Sequence, residues 1–377
     1  MNPQTVASAP TTEELQELAL EVRTYLAKRR EEGAFTPQAD AWTHEWNPEF
    51  SRELAAKGWV GMTIPPEYGG HGRSHAERFV VAEEMLASGA PVAFHWVTER
   101  QIGPQLLKLG TPEQREKYIP GIVRAEIAFA LGMSEPGSGS DLASVRTKAE
   151  PVEGGFIVNG QKIWTSSSHR ADYVLALVRT SQEENHHAGL SQLIIDLKNT
   201  EGVVARPIPA SIGDDHLAEV FFEDAFVPEE NLVGVLGAGW QQVTAELGYE
   251  RGGSDRFMSN MALLEAFVGR TEPRPASTEK VGELVARMLG LRTLAAGVME
   301  SAGAGRDFAI DAALAKDAGN VFEQEMTYEL RGLGVPDEDE YLVGLLEHAM
   351  LYAPTISLRG GSAEVLRGIT AKNLVGR

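Results

Sequence analysis

The spacing of apolar residues divides the chain into three stretches. From residue 12 to about residue 125 they recur every three or four positions, which predicts helices over residues 12–30, 49–57, 74–88 and 99–108 and from Thr111 onward. Between residues 128 and 235 they recur at every second position, which predicts strands over residues 173–178, 192–197, 203–208 and 219–226. The helical spacing then returns and predicts one long helix over residues 239–267, followed by helices over 278–303, 308–330 and 341–351.

This order of elements predicts an α+β chain with three domains. We place an N-terminal α-helical domain at residues 1–127, a middle β-domain at residues 128–235 and a C-terminal α-helical domain at residues 236–377. A chain of 377 residues is long enough for these domains to share a substantial core.

Composition excludes several classes of function. The chain has 54 acidic and 34 basic residues, and its net charge of −20 argues against a partner that is nucleic acid or an anionic membrane surface. It has no cysteine, so disulfides and thiolate catalysis are excluded. The adjacent His186 and His187 have no third ligand nearby in sequence, so we expect no metal site. No apolar run approaches the ~18 residues of a membrane span, and the N-terminal segment is not typical of an export signal, so we expect a cytoplasmic protein.

We expect the chemistry to depend on residues 131–180. Residues 133–141 read MSEPGSGSD, a run of small residues that lets backbone N–H groups approach a flat or anionic ligand. Residues 156–164 read FIVNGQKIW, which predicts two short strands joined by a tight turn at Asn159-Gly160, with Trp164 at the end of the second strand. Taken alone, this stretch is either an ordinary β-meander with a serine-rich loop or a platform for a planar cofactor.

The SEPGSGSD run, followed by a strand that ends in WTS, resembles the acyl-CoA dehydrogenase family. The motifs PPEYGG at residues 65–70 and GTPEQREKYIP at residues 110–120 extend the resemblance over the N-terminal domain. The family implies a barrel-like middle domain, a C-terminal four-helix bundle and an FAD cofactor. It also implies residues that border the flavin or its far side, namely Met133, Ser134, Gly139, Ser140, Trp164, Thr165, Ser166, Ser362 and Glu364.

A candidate base lies in the first helix after the β-domain. Helical spacing places Glu250 on a mostly apolar face, within about 100° of four apolar residues, namely Trp240, Val243, Leu247 and Phe257. A carboxylate that faces inward is costly unless it is paired or used. It is therefore either half of an ion pair, with the adjacent Arg251 as the obvious partner, or a catalytic group. Glu246, one turn earlier, is the second choice.

The resemblance favours the catalytic alternative. Many acyl-CoA dehydrogenases carry a glutamate base near the C-terminus, directly before a Gly-Thr pair, and Gly360 stands at that position here. The isovaleryl-CoA dehydrogenase-like branch instead has a glutamate before an arginine on the helix after the β-domain, and Glu250-Arg251 matches that pattern. The resemblance therefore implies that Glu250 removes the α-proton of an acyl-CoA thioester. It places Ser140, Tyr249 and Arg251 near the substrate and implies an electron-transfer flavoprotein as the electron acceptor.

Two family motifs that bind a neighbouring subunit's FAD are missing. Residues 268–275 read VGRTEPRP and lack the family's Arg-x-x-Phe-Gly-like segment, and residues 329–336 read ELRGLGVP and lack its Gln-x-x-Gly-Gly-x-Gly-like turn. We therefore expect an α2β2 hetero-oligomer in which a related chain supplies the adenine-side contacts. The alternative is a homotetramer whose motifs have diverged. Two other functions stay open at this point, a flavin monooxygenase of the same fold and a non-catalytic partner subunit.

Overall fold

The N-terminal part of the chain is helical. The computed structural model describes residues 10–210, 213 and 215–375, without the side chains of residues 246, 247, 249 and 374. Thr111 is the N-cap of its helix, as the sequence predicts, because its Oγ1 accepts a hydrogen bond from the N–H of Gln114 (3.2 Å). A single π-helical turn at Thr98–Ile102 joins two of the helices. From residue 10 onward the helices of this part are α1 (Thr12–Glu31), α2 (Ala41–His44), α3 (Pro48–Ala56), α4 (His75–Ala87), α5 (Ala93–Val97), α6 (Gly103–Leu109) and α7 (Pro112–Val123).

The middle part is one eight-stranded, mostly antiparallel sheet. Its strands run in the order β6-β7-β3-β2-β4-β5-β8, and β1 pairs with β4. Because β6 and β8 do not pair among the described residues, the sheet is open, and the expected barrel-like closure is not confirmed. The strands are β1 (Phe129–Gly132), β2 (Lys148–Val152), β3 (Gly155–Lys162), β4 (Tyr173–Arg179), β5 (Leu190–Asp196), β6 (Val203–Pro207), β7 (Ala218–Pro228) and β8 (Leu232–Val233).

The predicted hairpin at Asn159-Gly160 is wrong. Both residues lie inside the continuous strand β3, at a shift of its register against β7. Gly160 has φ +149°, and a Cβ there would lie 2.7 Å from the Cα of Thr147, so the bulge requires glycine. The amide of Asn159 fixes the bulge by pairing with Asp224 on β7. The turn of the hairpin lies earlier, between β2 and β3.

The C-terminal part is helical again. The helices are α8 (Gly239–Arg251), α9 (Met261–Arg270), α10 (Pro275–Gly303), α11 (Ala309–Leu333), α12 (Glu340–Ile356) and α13 (Ala363–Leu374), and no helix among the described residues has the length and apolar character of a membrane span. Side chains of α1, α3 and α4 pack with those of α9–α12 in one apolar core, whereas the sheet has its own.

The single long helix predicted over residues 239–267 is also wrong. It ends at Arg251, a 3₁₀ turn follows at Ser254–Arg256, and α9 begins at Met261. A Cβ on Gly252 would lie 2.4 Å from the side chain of Val298, so the chain can pass this closely only without one. Phe257 is buried but does not belong to the helix of Glu250, so the single helical face drawn through both residues does not exist.

Candidate active site

Trp164 stands out on the surface of the sheet domain. It follows β3, its side chain is 56% exposed and its backbone has φ +58°. A left-handed conformation costs a residue other than glycine about 1 kcal/mol, and an exposed indole gains nothing from the core. Both features are typical of a residue that is held ready for a ligand rather than for packing.

The loop that contains Ser134 lies next to this strand. The N–H of Ile163 donates to the carbonyl of Ser134 (2.9 Å), and the ammonium of Lys162 donates to the carbonyl of Met133 (3.0 Å). The fold thus brings Met133 and Ser134 beside the backbone that leads to Trp164.

A buried ion pair fastens these two segments. Lys162 is fully buried and lies 2.8 Å from Glu135, whose carboxylate also accepts hydrogen bonds from the N–H groups of Arg146 (2.6 Å) and Thr147 (2.9 Å). Burial lowers the pKa of Lys162 to about 8. Burial opposes the ionisation of Glu135, but Lys162 and the two N–H groups outweigh it and keep the pKa of that carboxyl below its ordinary value. The pair is therefore charged near neutral pH.

The rest of the predicted platform offers polar groups and space. The hydroxyl of Thr165 is buried and has no hydrogen-bond partner among the described residues. Gly139, Ser140 and Ser166 are exposed, and a Cβ on Gly139 would have no neighbour within 4 Å. A free buried hydroxyl, an open glycine and an exposed indole fit the edge and face of a flavin. These residues would hold the ring of FAD.

A groove of about 420 Å³ lies behind this loop. Arg146, Lys148 and Arg179 line it together with His186, so it carries positive charge on a strongly acidic protein. The ring of His187 packs against that of Trp240, with the centroids 4.3 Å apart and the planes tilted by 34°. No group of three or more metal-ligating side chains occurs among the described residues.

Glu250 lies in the last turn of α8 and is half of an ion pair. Its partner is Arg256, whose Nη2 donates to Glu250 Oε1 at 3.0 Å, and not the predicted Arg251. The Glu250 side chain is 14% exposed, whereas that of Arg256 is 3% exposed. The carboxylate borders Gly360, because a Cβ on that glycine would lie 2.5 Å from Glu250 Oε1. Glu250 thus fills the space beside the position at which many family members carry their glutamate.

The Gly360-Gly361 turn is surrounded by charge. Arg251 Nε donates to the carbonyl of Gly360 (3.0 Å), and Lys316 Nζ donates to the carbonyl of Gly361 (3.0 Å). Burial, with the nearby Arg256, lowers the pKa of Lys316 to about 7. Both glycines have positive φ values, +68° and +108°, which allow two successive carbonyls to face two cations. Side chains from two helices therefore fix the turn against which Glu250 lies.

Other predicted site residues have structural contacts of their own. Ser362 is the N-cap of α13, where its hydroxyl accepts from the N–H of Val365 (3.5 Å), and Glu364 is exposed in the first turn of that helix. Their contact with a flavin stays a prediction. The side chains of Tyr249 and of the second-choice base Glu246 lie outside the described residues.

Sequence reasoning missed the residues that hold Glu250. Arg256, Asp255 and Arg100 are buried and charged, and they gather beside Trp42. On α11, Lys316 and Glu323 are also fully buried. Lys316 and Glu323 are seven residues apart in the sequence. Because that spacing is two helical turns, it could have indicated that both charges lie on one inward face of the helix. Nothing in the sequence pairs Arg256 with a residue before the Gly252-Gly253 break.

Two family models match the chain. One is described as "Acyl-CoA dehydrogenase, N-terminal domain" and matches residues 12–126, and the other as "Acyl-CoA dehydrogenase, middle domain" and matches residues 130–225. The protein named acyl-CoA dehydrogenase IpdE1 of Mycobacterium tuberculosis is 31% identical over 384 residues, which cover 97% of this chain and 98% of that one. The chain belongs to the acyl-CoA dehydrogenase family. This acyl-CoA dehydrogenase is an oxidoreductase, as the sequence predicts.

Two solved structures extend the similarity to the whole fold. The steroid acyl-CoA dehydrogenase Tcur3481-Tcur3483 gives a TM-score of 0.85 at 29% identity, over 98% of both chains. The ChsE4-ChsE5 complex of Mycobacterium tuberculosis gives a TM-score of 0.81 at 28% identity, over 99% of both chains. They confirm a helical N-terminal part, a strand-rich middle part and a helical C-terminal part.

Proposed function

We propose that this acyl-CoA dehydrogenase introduces an α,β double bond into an acyl-CoA thioester with Glu250 as the base. The observation that carries the proposal is the position of the Glu250 carboxylate, which is partly accessible and borders Gly360. The Cα–H bond breaks, its proton goes to Glu250, and the electron pair forms the double bond as the β-hydrogen leaves as hydride. FAD, held by the platform residues, would supply the hydride acceptor, and an electron-transfer flavoprotein would take up the electrons.

The platform residues have separate roles in this proposal. Trp164, Met133 and Ser134 would hold the flavin ring. The buried hydroxyl of Thr165, which lacks a partner among the described residues, would supply a hydrogen-bond donor to it. Ser140 borders the flavin or the pantetheine of CoA, and Arg251 lies near the thioester end. These contacts orient the two carbons of the substrate between base and cofactor.

We also propose a wide acyl group, such as a steroid side chain. The similar protein Tcur3481-Tcur3483 is named as a steroid acyl-CoA dehydrogenase, and its structure matches this chain along its whole length. Two adjacent small residues after the base, Gly252 and Gly253, could be expected to make room for a wide acyl group, but they do not. A Cβ on Gly252 would contact Val298 and Met299, and a Cβ on Gly253 would contact Asp255, so these glycines serve close packing.

The partner is proposed to be a second, related chain in an α2β2 assembly. Two similar solved structures carry paired protein names, and the motifs for a neighbour's adenine are missing here. The C-terminal helices also expose large apolar side chains, spaced by four residues on α10 and by seven on α11, which is typical of a face covered in an oligomer. They are Val285, Leu289, Leu314, Val321 and Tyr328. A full complement of tightly bound FAD on the chain purified alone would contradict this proposal.

Anaerobic mixing with acyl-CoA esters tests the reaction. The protein, alone and with its candidate partner chain, should show bleaching of the flavin absorbance with a bulky acyl-CoA and less with short straight ones. Glu250→Gln keeps the shape of the side chain and should abolish the bleaching. If the flavin of Glu250→Gln bleaches at the unaltered rate, Glu250 is not the base. Rapid reoxidation by oxygen with an oxygenated product would instead support a monooxygenase, and no flavin under any pairing would support a non-catalytic subunit.

A further inference from the structure

Arg256 contacts Glu250 at two places. Its Nη2 donates to Oε1 of the carboxylate and its Nε donates to the backbone carbonyl of Glu250, both at 3.0 Å. The same Nε lies 3.1 Å from Oδ2 of Asp255. One guanidinium therefore binds both ends of the Glu250 residue and fixes the direction of its side chain.

Arg256 is itself held on the face of Trp42. The guanidiniums of Arg256, Arg100 and Arg359 lie 5.4, 5.7 and 4.9 Å from the centroid of this indole. Each of the three arginines contacts a carboxylate, and Arg100 and Arg256 share Asp255. Arg100 contacts Asp255, Arg359 lies 2.7 Å from Asp40, and Arg256 binds Glu250.

The indole is fixed in turn. Its Nε1 donates to the hydroxyl of Ser259 (2.9 Å), and that hydroxyl donates to the carbonyl of Asp255 (2.8 Å). Asp40 and Asp255 are at most 2% exposed, so among the three carboxylates only that of Glu250 reaches solvent to any extent. The arginine that holds Glu250 is thus anchored in a rigid, buried support.

The two oxygens of Glu250 differ as a result. Oε1 accepts the hydrogen bond from Arg256 and faces Gly360. Oε2 accepts no hydrogen bond from any described residue. We propose that Arg256 is a positioning residue that holds Oε1 of Glu250 and reserves Oε2 for the α-proton of the acyl-CoA. The inference rests on the proposed function of Glu250 as the base.

The charge balance agrees with this role. Arg100, Arg251, Arg256 and Lys316 contribute positive charge around Glu250 and its turn, and Asp255 contacts both Arg100 and Arg256. When the Cα–H bond breaks, the proton bonds to Oε2 and Arg256 remains protonated, because guanidinium does not release its proton near neutral pH.

The test is a pair of rates, flavin reduction and exchange of the substrate's α-hydrogen with deuterated water. The second rate reports the proton step without hydride transfer. In Arg256→Gln both rates should fall by about tenfold or more, because the carboxylate is no longer held in one direction. In Arg256→Lys, which keeps the charge but not both hydrogen bonds, both rates should also fall, while KM changes little in either variant.

Arg359→Gln is the matched control. It removes another arginine from the same Trp42, but this arginine is paired with Asp40 instead of Glu250. Both rates should fall much less than in Arg256→Gln, because the hydrogen bonds of Arg359 go to Asp40. Equal losses in the two variants, or unaltered rates in Arg256→Gln, would overturn the inference.

A folding defect leaves the inference testable. If Arg256→Gln does not fold, Arg256→Lys decides, and unaltered rates in that variant would overturn the positioning role. The underlying proposal fails separately, if Glu250→Gln still exchanges the α-hydrogen. An inactive Glu250→Gln together with unaltered rates in Arg256→Gln would refute this inference alone.

Discussion

The carboxylate of Glu250 lies where a side chain on Gly360 would have to be. A Cβ on Gly360 would lie 2.5 Å from Oε1 of Glu250 and 3.0 Å from Cε of Lys316. The two residues are 110 positions apart in the sequence (360 − 250), so only the fold brings them together. A glycine at this point is thus a condition for placing a carboxylate on α8 beside the turn.

Gly360→Ala should displace the Glu250 carboxylate. The methyl group cannot fit beside Oε1, and the φ of +68° adds strain of about 1 kcal/mol. We expect flavin reduction to slow by about a hundredfold, the usual scale for misplacing a reacting group by 1 Å. Stopped-flow absorbance under anaerobic conditions measures it.

Gly305→Ala separates strain from crowding. Gly305 has nearly the same φ, +67°, but a Cβ there would have no neighbour within 4 Å. This variant should lose about 1 kcal/mol of stability and keep its rate of flavin reduction. If both variants lose activity equally, the contact between Gly360 and Glu250 is not what matters.

Lys162→Met should weaken FAD binding and stability together. It leaves Glu135 buried without its cation, which costs about 3 kcal/mol, and it releases the carbonyl of Met133. Fluorescence titration with FAD and thermal unfolding measure the two effects. Lys148→Met is the control, since that lysine is exposed on the neighbouring strand and pairs with Glu150.

A double variant shows whether the Lys162–Glu135 pair positions the platform or only balances a buried charge. Lys162→Met with Glu135→Gln removes both charges and should recover part of the stability, because no unpaired carboxylate remains. FAD affinity should stay low, since the loop of Met133 is no longer tied to the strand. Full recovery of FAD affinity would show that the pair does not position the platform.

Trp164→Gly should weaken FAD binding while leaving the stability of the FAD-free protein nearly unchanged. Glycine adopts φ +58° without strain, so relief of about 1 kcal/mol opposes the loss of about 1 kcal/mol from added flexibility in the unfolded chain. The melting temperature without FAD should therefore change little, whereas FAD affinity should fall at least tenfold. A large loss of stability in the FAD-free protein would show that the indole packs against the fold.

The elements that the sequence predicts well are those determined by neighbours in the chain. Thr111 and Gln114 form their capping box within one turn, and strands β4 and β5 follow from alternation. Asn159-Gly160 was misread because the same residues suit a tight turn and a bulge. The choice depends on Thr147 and Asp224, which are distant in sequence.

The candidate site divides in the same way. Ser134, Trp164 and Glu250 were identified from motifs, and their confirmation needs the experiments above. The sequence does not identify the partner of Glu250. Helix α8 ends at the close contact between Gly252 and Val298, and the turn that follows brings Arg256 next to the Glu250 carboxylate. Long-range packing therefore decides which arginine meets the carboxylate.

Glu323 provides a test of the buried support around Trp42. It is fully buried on α11, its Oε1 accepts the N–H of Ser259 (2.5 Å), and its Oε2 has no hydrogen bond among the described residues. Burial raises its pKa to about 7, although the nearby Arg359 opposes this shift. In the folded protein this carboxyl group therefore holds its proton at pH values where the unfolded chain has released it.

The sign of the effect follows from this difference. Between pH 4.5, the ordinary pKa of a glutamate, and pH 7, the folded state binds more protons at Glu323 than the unfolded state, so this group lowers the free energy of unfolding as pH rises. Glu323→Gln cannot ionise and keeps an acceptor for Ser259. Its stability relative to the unaltered protein should therefore increase over this range, by up to about 3 kcal/mol. Urea unfolding at half-unit steps of pH measures the difference, and two parallel curves would show that Glu323 is already ionised in the folded protein at pH 5.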